Sequence, residues 1–258
     1  MHLTALPGVG WLLRHLGGVL WMPPNAAGHG QSLDRQMAVS ITVMVAVFVL
    51  AQAVLLIAIR RPARASAALI PWWNVFTFWA LTLLFVFLTV RAETLWAANR
   101  FQGPSYDALQ VEVVGQQYVW YFRYPGADAR FGTVRPELVD AAAGNPLGLD
   151  RKDPAAQDDF VSSELVLPLG REVNLRLRSL DVIHGFFVPA MRLKQNAVPG
   201  SVFNVHFTPT ETGTYDIVCS QVCGSGHYRM EAQLRVITPD EFASWLATHT
   251  PATKQGLR

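Results

Sequence analysis

Cys219-Ser220-Gln221-Val222-Cys223-Gly224-Ser225-Gly226-His227-Tyr228-Arg229-Met230 holds both cysteines of the chain, with a histidine and a methionine close behind. Two thiolates, an imidazole and a thioether are the soft donors that copper prefers. A second histidine, His184, stands upstream in Asp181-Val182-Ile183-His184-Gly185, beside apolar residues. This donor set suits a copper electron-transfer site on a β-sandwich. With Cys219 on a strand and Cys223 in a tight loop containing Gly224 and Gly226, both sulfurs can point into one pocket. Two thiolates can bridge two metal ions, so that one electron is shared across both. His184 and His227 then cap the pair from opposite ends, Met230 is a weak axial ligand, and the carbonyl of Gln221 is another.

Three other uses of the cysteines compete. A disulfide in an oxidising compartment accounts for the two thiols but not for His227, Met230 and His184. Zinc sites rarely use methionine. A redox dithiol needs a Cys-x-x-Cys spacing, which is absent, and there is no Cys-x-x-Cys-His for a covalent haem. Taken singly, His184 and Met230 read as core residues; their joint spacing with the cysteines favours copper. His206 alternates within a strand and reads as structural, whereas His2, His15, His29 and His249 read as terminal or surface residues. No phosphate loop, metalloprotease helix or hydrolase elbow appears.

Around the cysteine loop the pattern is that of short strands. Alternating or aromatic-rich runs cover Ala108–Val114, Gln117–Tyr124, Glu164–Leu167, Glu172–Leu177, Val182–Val188, Ser201–Phe207, Thr214–Val218 and Glu231–Ile237. Many short strands separated by turn signals predict an antiparallel sandwich or barrel. Residues 126–160, rich in Gly, Asp, Ala and Pro, predict a long surface loop with a contact role. Within it Asp150, Asp153, Asp158 and Asp159 form either an acidic patch for a basic partner or a solvated loop. Thr238-Pro239-Asp240-Glu241 is a helix start, with Thr as the N-cap and Glu three residues on, so a short helix is expected over Pro239–Thr248.

Toward the N-terminus the composition changes. The 258-residue chain is 51% hydrophobic and 16% charged. No charge falls between Met37 and Ile59, or between Ala65 and Val90. Each run exceeds the ~20 residues that cross a ~30 Å hydrocarbon core, so two transmembrane helices are expected. Arg60, Arg61 and Arg64 in the connector place it on the cytoplasmic side, with Trp72 and Trp73 at the inner interface and the later residues outside. The expected organisation is a leader or exported segment over 1–36, a helix hairpin over 37–95, the copper domain over 106–248 and a tail over 249–258. From Arg100 onward there are fifteen basic and seventeen acidic residues; the first ninety-nine residues carry six and two. The mild basicity of the chain therefore belongs to its membrane portion and gives no argument for nucleic-acid binding.

Asp181-Val182-Ile183-His184, Val188-Pro189, Leu193-Lys194-Gln195, Val198-Pro199-Gly200 and the cysteine loop together resemble subunit II of the haem–copper oxidase superfamily, the cytochrome c oxidase subunit 2 family. The likeness covers both helices and nearly all of residues 108–238. It implies a membrane-anchored all-β protein: a cupredoxin-like β-sandwich with a short C-terminal helix, held on a two-helix hairpin. It also implies a binuclear copper A centre on His184, Cys219, Gln221 through its carbonyl, Cys223, His227 and Met230. The implied partners are cytochrome c as donor, subunit I with its haem, subunit III and membrane lipid. The implied location is a bacterial-type plasma membrane with the copper domain on the periplasmic side. Relatives that oxidise quinol lose the two cysteines. In such a subunit the metal carries the redox chemistry and the chain binds, orients and tunes it.

Four positions depart from the family pattern. Gln221 replaces a common Glu whose side chain helps hold magnesium. Tyr118 stands where many members have a Trp through which electrons enter, so Tyr118 and Trp120 are the local aromatics for that role. No acid lies from Ile70 to Val90, where many members carry a proton-channel glutamate. Asn196 replaces a common Asp. The same subunit in a nitric-oxide reductase is one alternative; a membrane-tethered copper chaperone with a single exchangeable ion is another.

Overall fold

The computed structural model describes residues 23–60, 70–100 and 102–250. The chain divides into two compact units: the described residues within Gln31–Gln102 belong to one, and Pro23–Gly30 with the described residues from Gly103 onward belong to the other. The sequence boundaries at 1–36 and 37 thus differ from the structure, in which the segment before the first helix belongs with the β unit. Residues 1–22, the connector arginines Arg61 and Arg64, and residues 251–258 lie outside the described residues.

The helical unit contains α1 (Gly30–Arg60) and α2 (Ile70–Arg100), each 31 residues long. At 1.5 Å per residue each extends about 46 Å, more than a ~30 Å hydrocarbon core. Their apolar side chains face outward: Phe48, Leu50 and Ile59 on α1 and Trp72, Phe76 and Phe85 on α2 are all more than half exposed. Helices apolar on their outer faces are suited to lipid rather than water. Near one end Arg91 Nε donates to Gln36 Oε1 at 3.1 Å, tying α2 to α1.

The other unit is a sandwich of two five-stranded sheets. The strands are β1 (Leu109–Gln116), β2 (Val119–Tyr124), β3 (Phe160–Ser162), β4 (Leu165–Pro168), β5 (Val173–Ser179), β6 (His184–Val188), β7 (Leu193–Ala197), β8 (Phe203–Phe207), β9 (Gly213–Cys219) and β10 (Glu231–Ile237). One sheet has the order β3-β2-β1-β5-β8 and the other β4-β10-β9-β6-β7. The expectation of a wholly antiparallel sandwich is corrected. β1 pairs with β5, and β10 with β4, in parallel. Strands distant in the chain return to the same sheet after an excursion through the other, and they return pointing the same way. The alternating inward residues Val111, Val113, Leu175, Leu177, Phe186, Ile217 and Leu234 fill the space between the sheets.

The C-terminal helix α3 (Pro239–His249) starts with the expected capping box between Thr238 and Glu241. Its Trp245 meets the rings of Tyr124 (5.0 Å between centroids) and Phe160 (5.5 Å). The hydroxyl of Tyr124 donates to Val166 O and accepts from Val166 N–H, which joins β2 of one sheet to β4 of the other.

The stretch 126–160 is a long loop without strands before Phe160, exposed over 127–130 and 135–144 as its composition suggests, but Asp150, Asp158 and Asp159 do not form a surface acidic patch. Asp150, Asp158 and Asp159 are all buried. Asp159 pairs with Arg123 and accepts from Gly132 N–H. Asp158 accepts from the amides of Ala127 and Asp128, and Asp150 pairs with Arg135 at 2.8 Å. The guanidinium groups of Arg123 and Arg176 each lie 5.1 Å from the centre of the Phe131 ring. Such rings attract cations through their faces. The stretch is ordered by turned-in charges, not by a periodic apolar face.

Candidate metal centre

His184 opens β6 and Cys219 closes β9, and these two strands are neighbours, with Phe186 opposite Cys219. The loop after β9 turns back at once. Ser220 N–H donates to Gly185 O at 2.8 Å, and a short helical turn over His227–Arg229 leads Met230 back until its carbonyl accepts from Cys219 N–H at 3.1 Å. A Cβ on Gly185 would lie 2.8 Å from the backbone nitrogen of Gln221, so glycine is what allows β6 to approach the loop.

The result is a knot of sulfur and nitrogen. The two thiols are free and buried, 3.8 Å apart. Cys223 Sγ lies 3.8 Å from His227 Nδ1 and 3.8 Å from Met230 Sδ. Cys219 Sγ lies 3.2 Å from Gln221 O. Ligating atoms of His184, Cys219 and Cys223 fall within 4.8 Å of one another. The six residues singled out in the sequence are therefore gathered in one place. Gln221 presents its carbonyl inward while the residue itself is exposed.

His184 is wholly buried. Its Nε2 lies 2.7 Å from Asp181 Oδ1, whereas its Nδ1 has no hydrogen-bond partner. Burial alone would raise the pKa of Asp181, but N–H donation from Gln117, His184 and Val182 outweighs it and holds the carboxyl below its ordinary value. An ionised carboxylate at Nε2 fixes the proton there and leaves a lone pair on Nδ1. Burial pushes the Cys223 thiol up to about 11, with the neighbouring Cys219 adding to the effect. A dry thiol pair with an orphaned imidazole lone pair is poorly stabilised by protein alone, and a bound cation reverses that balance by drawing the protons off. The donor chemistry fits copper: two sulfurs, two imidazoles, a thioether and a carbonyl.

The two aromatics named from the sequence are placed differently. Trp120 is buried, its ring edge-on to His184 (5.8 Å) and to Phe186 (5.2 Å). Tyr118 is half-buried and lies over the cysteine loop. A Cβ on Gly226 would lie 2.5 Å from its ring, and its hydroxyl is 3.4 Å from Ser225 Oγ. Val182, Ile183, Val222 and Tyr228, beside the ligating residues in the chain, are exposed apolar groups. Sequence reasoning assigned no role to Gln117, whose side chain donates to Cys223 O at 2.5 Å, to Gly115, which backs the His184 ring, or to Asp181. Of these only Asp181 left a signal, three residues before His184.

The family model for the periplasmic domain of cytochrome c oxidase subunit II matches residues 109–237. The chain is 34% identical over 255 residues to the alternative cytochrome c oxidase subunit 2 of Bradyrhizobium diazoefficiens, an alignment covering 93% of this chain and 88% of that protein. It is 38% identical over 149 residues to cytochrome c oxidase subunit 2 of Thermostichus vulcanus, covering 58% of this chain and 36% of that one. Among solved structures, the periplasmic domain of subunit II of cytochrome oxidase from Bradyrhizobium japonicum is 27% identical, with a TM-score of 0.42, over 57% of this chain and 96% of that one.

Proposed function

The chain belongs to the cytochrome c oxidase subunit II family, a component of a haem–copper oxidase complex, and from that premise we propose that it is the subunit through which electrons enter. In this reading it accepts them from cytochrome c at a binuclear copper A centre and passes them to haem in subunit I, where O2 is reduced. The observation that carries it is the buried His184 Nδ1, left without a partner beside two free thiols. His184, Cys219, Gln221 through its carbonyl, Cys223, His227 and Met230 would hold the copper. Bound there, a copper pair supplies a one-electron carrier whose charge change is spread over two ions.

The rest of the site is the work of the chain. Asp181 sets the His184 tautomer, and Gly115 and Gly185 let ring and strand close in. Trp120 and Phe186 keep water from one side of the ring. Of the two aromatics named from the sequence, Tyr118 is the favoured point at which electrons enter, because it is partly exposed and in contact with the loop, whereas Trp120 is buried. Val182, Ile183, Val222 and Tyr228 give an apolar surface suited to a docking partner. The two outward-facing apolar helices make the subunit membrane-anchored. The β unit then lies on the periplasmic side of the plasma membrane, with subunits I and III as neighbours. The neutral Gln221 side chain offers no carboxylate to an interfacial magnesium ion.

Optical and electron paramagnetic resonance spectra of the purified complex test the reading. A purple mixed-valence pair is expected; a single isolated cupric ion, or stoichiometric zinc, refutes it. The same subunit in a nitric-oxide reductase is the second reading, favoured by the acid-free stretch from Ile70 to Val90. Assay of the complex with O2 and with NO separates the two.

Replacing Asp181 by Asn removes the negative charge that holds the His184 proton at Nε2. Copper retention against a chelator is expected to weaken by roughly 10–100-fold, the usual effect of losing an outer hydrogen-bonding partner. Tyr118→Leu, by contrast, should leave the copper spectrum in place and slow reduction by cytochrome c. An aromatic at the centre of a contact is worth about 1–2 kcal/mol, so a roughly five- to thirty-fold loss in apparent affinity for the donor is expected, read by stopped-flow reduction at varied donor concentration.

A further inference from the structure

Gln117 lies in the turn between β1 and β2, so it reaches the metal site from the sheet opposite β6, β9 and β10. Its two nitrogens bond to different sides of that site. The backbone N–H donates to Asp181 Oδ2 at 2.7 Å, and the other oxygen of that carboxylate, Oδ1, lies 2.7 Å from His184 Nε2. The side-chain Nε2 donates to Cys223 O at 2.5 Å. Neither acceptor is itself a candidate ligating atom. One residue therefore links the carboxylate that orients His184 to the backbone that carries Cys223.

The loop is shaped to receive this carboxamide. A Cβ on Gly224 would lie 2.9 Å from Gln117 Nε2, and Gly224 has φ 140°, which side chains rarely tolerate. Glycine removes both conflicts, but it gives up more conformational freedom on ordering than any other residue. Two glycines, Gly224 and Gly226, follow Cys223 with only Ser225 between them. At the start of the loop Ser220 N–H donates to Gly185 O, and within it His227 N–H donates to Gly224 O at 3.1 Å. From the other sheet the Tyr118 hydroxyl comes to 3.4 Å from Ser225 Oγ, too long for a strong hydrogen bond. The Gln117 carboxamide meets the loop at Cys223 itself, at a much shorter distance.

We infer that Gln117 is a positioning residue for the metal site: its carboxamide holds Cys223 at a set distance from His184 before any metal arrives. This rests on the function proposed above. The backbone N–H fixes Gln117 to the Asp181 carboxylate, and the side chain passes that reference on to the cysteine loop. His184, Asp181, Gln117 and Cys223 thus form a circuit, closed on its inner side by ligating atoms of His184 and Cys223 that lie within 4.8 Å of each other. A site whose donors already stand at their distances takes up metal without first ordering a glycine-rich loop. Gln117 is itself exposed, so this role does not come from filling the core.

The test uses the intact complex carrying Gln117→Met, which keeps the length of the side chain and the backbone N–H to Asp181 but removes the carboxamide donor. After copper is extracted, alkylation of the two buried thiols by iodoacetamide should quicken by roughly tenfold or more, as for a loop moved to the low-stability end of the fold. With copper bound, its loss to a chelator should quicken by roughly 10–100-fold, and the copper resonance should broaden because Cys223 no longer has one fixed place. The thermal midpoint should stay within about 2 °C of the parent, as for an exposed substitution. Parental thiol reactivity overturns the clamp. Faster alkylation with parental copper loss and an unchanged resonance overturns the positioning role. Faster alkylation with a midpoint lowered by more than about 4 °C assigns the effect to the whole fold and overturns it too. A parent complex without a copper pair would instead sink the proposed function, and thiol reactivity in the copper-free protein would still decide whether Gln117 holds the loop.

Discussion

Cys219→Ser is expected to abolish the purple copper signal of the complex and to lower cytochrome c-driven O2 uptake by more than ~100-fold, beyond what loss of an outer hydrogen-bonding partner does. Serine keeps the shape of the side chain and can still donate to Gln221 O, now 3.2 Å from the sulfur. What it lacks is a soft donor that ionises in a buried place. Its oxygen cannot serve as a thiolate donor, so in the proposed centre one of the two sulfur ligands would be lost and Cys223 alone would remain. The same argument holds for Cys223→Ser, where contacts to His227 and Met230 at 3.8 Å are also put at risk. Neither change should unfold the metal-free protein, because a polar swap of this size at a site with a local acceptor shifts stability by about 1 kcal/mol. Metal-free thermal unfolding close to the parent's, with the copper-dependent rise in midpoint gone, is the expected combination. A Cys219→Ser complex that stays purple and turns over normally would refute the assignment of the sulfurs.

The candidate ligating residues were legible because the information is local: five of the six donors fall within the twelve residues Cys219–Met230. Their supports were not. Gly115 comes from β1 and Gly185 from β6, and the need for glycine appears only when the His184 ring and the cysteine loop arrive beside them. β5 was readable from the alternation of Val173, Leu175 and Leu177. β7 was not, because Leu193 and Ala197 bury only its ends and Lys194, Gln195 and Asn196 lie between. Leu193 and Ala197 share one face, but the residue between them on that face is Gln195, so no apolar alternation shows in the sequence. The segment Pro23–Gly30 is too short for any period, so the burial of Ala26 and Ala27 was hidden inside an expected leader. For 126–160 the polar composition pointed to solvent, and much of it is exposed, whereas Asp159 turns in to meet Arg123 of β2, Asp150 meets Arg135 within the stretch, and Asp158 accepts from the amides of Ala127 and Asp128.

Those arginines predict the largest stability effect in the β unit. The Arg123 side chain is 2% exposed, and it pairs with Glu112 at 3.3 Å, with Asp159, and with Gly132 O at 2.5 Å. Arg123→Met fills most of the volume but leaves Asp159 buried without its cation, while Glu112 keeps Arg178 at 3.0 Å. Breaking a buried ion pair by removing one partner costs about 3–5 kcal/mol. At about 2–4 °C per kcal/mol for a domain of this size, the thermal midpoint of the β unit should fall by about 6–20 °C. The pH dependence has a definite sign. Burial already pushes the Asp159 carboxyl up, with Arg123 opposing it; without Arg123 it rises further. A folded pKa above the unfolded value of about 3.9 means that the folded state holds the proton more tightly, so stability is lost as pH rises from there through the folded pKa. The deficit of Arg123→Met should therefore be smaller near pH 4 than near pH 7. Glu112 works the other way. Burial would raise its pKa, but Arg178 and then Arg123 outweigh it and hold it low, so its contribution is present above its unfolded pKa and fades as pH falls through the folded one. Losing Arg123 weakens that contribution only partly. Adding Asp159→Asn to Arg123→Met removes the stranded charge and should recover part of the loss, as double-mutant coupling requires of neighbours in one network. Thermal scans of the parent, both single variants and the double variant at the two pH values measure all of this. A single variant that unfolds within about 2 °C of the parent would show that the turned-in charges do not hold 126–160 in place.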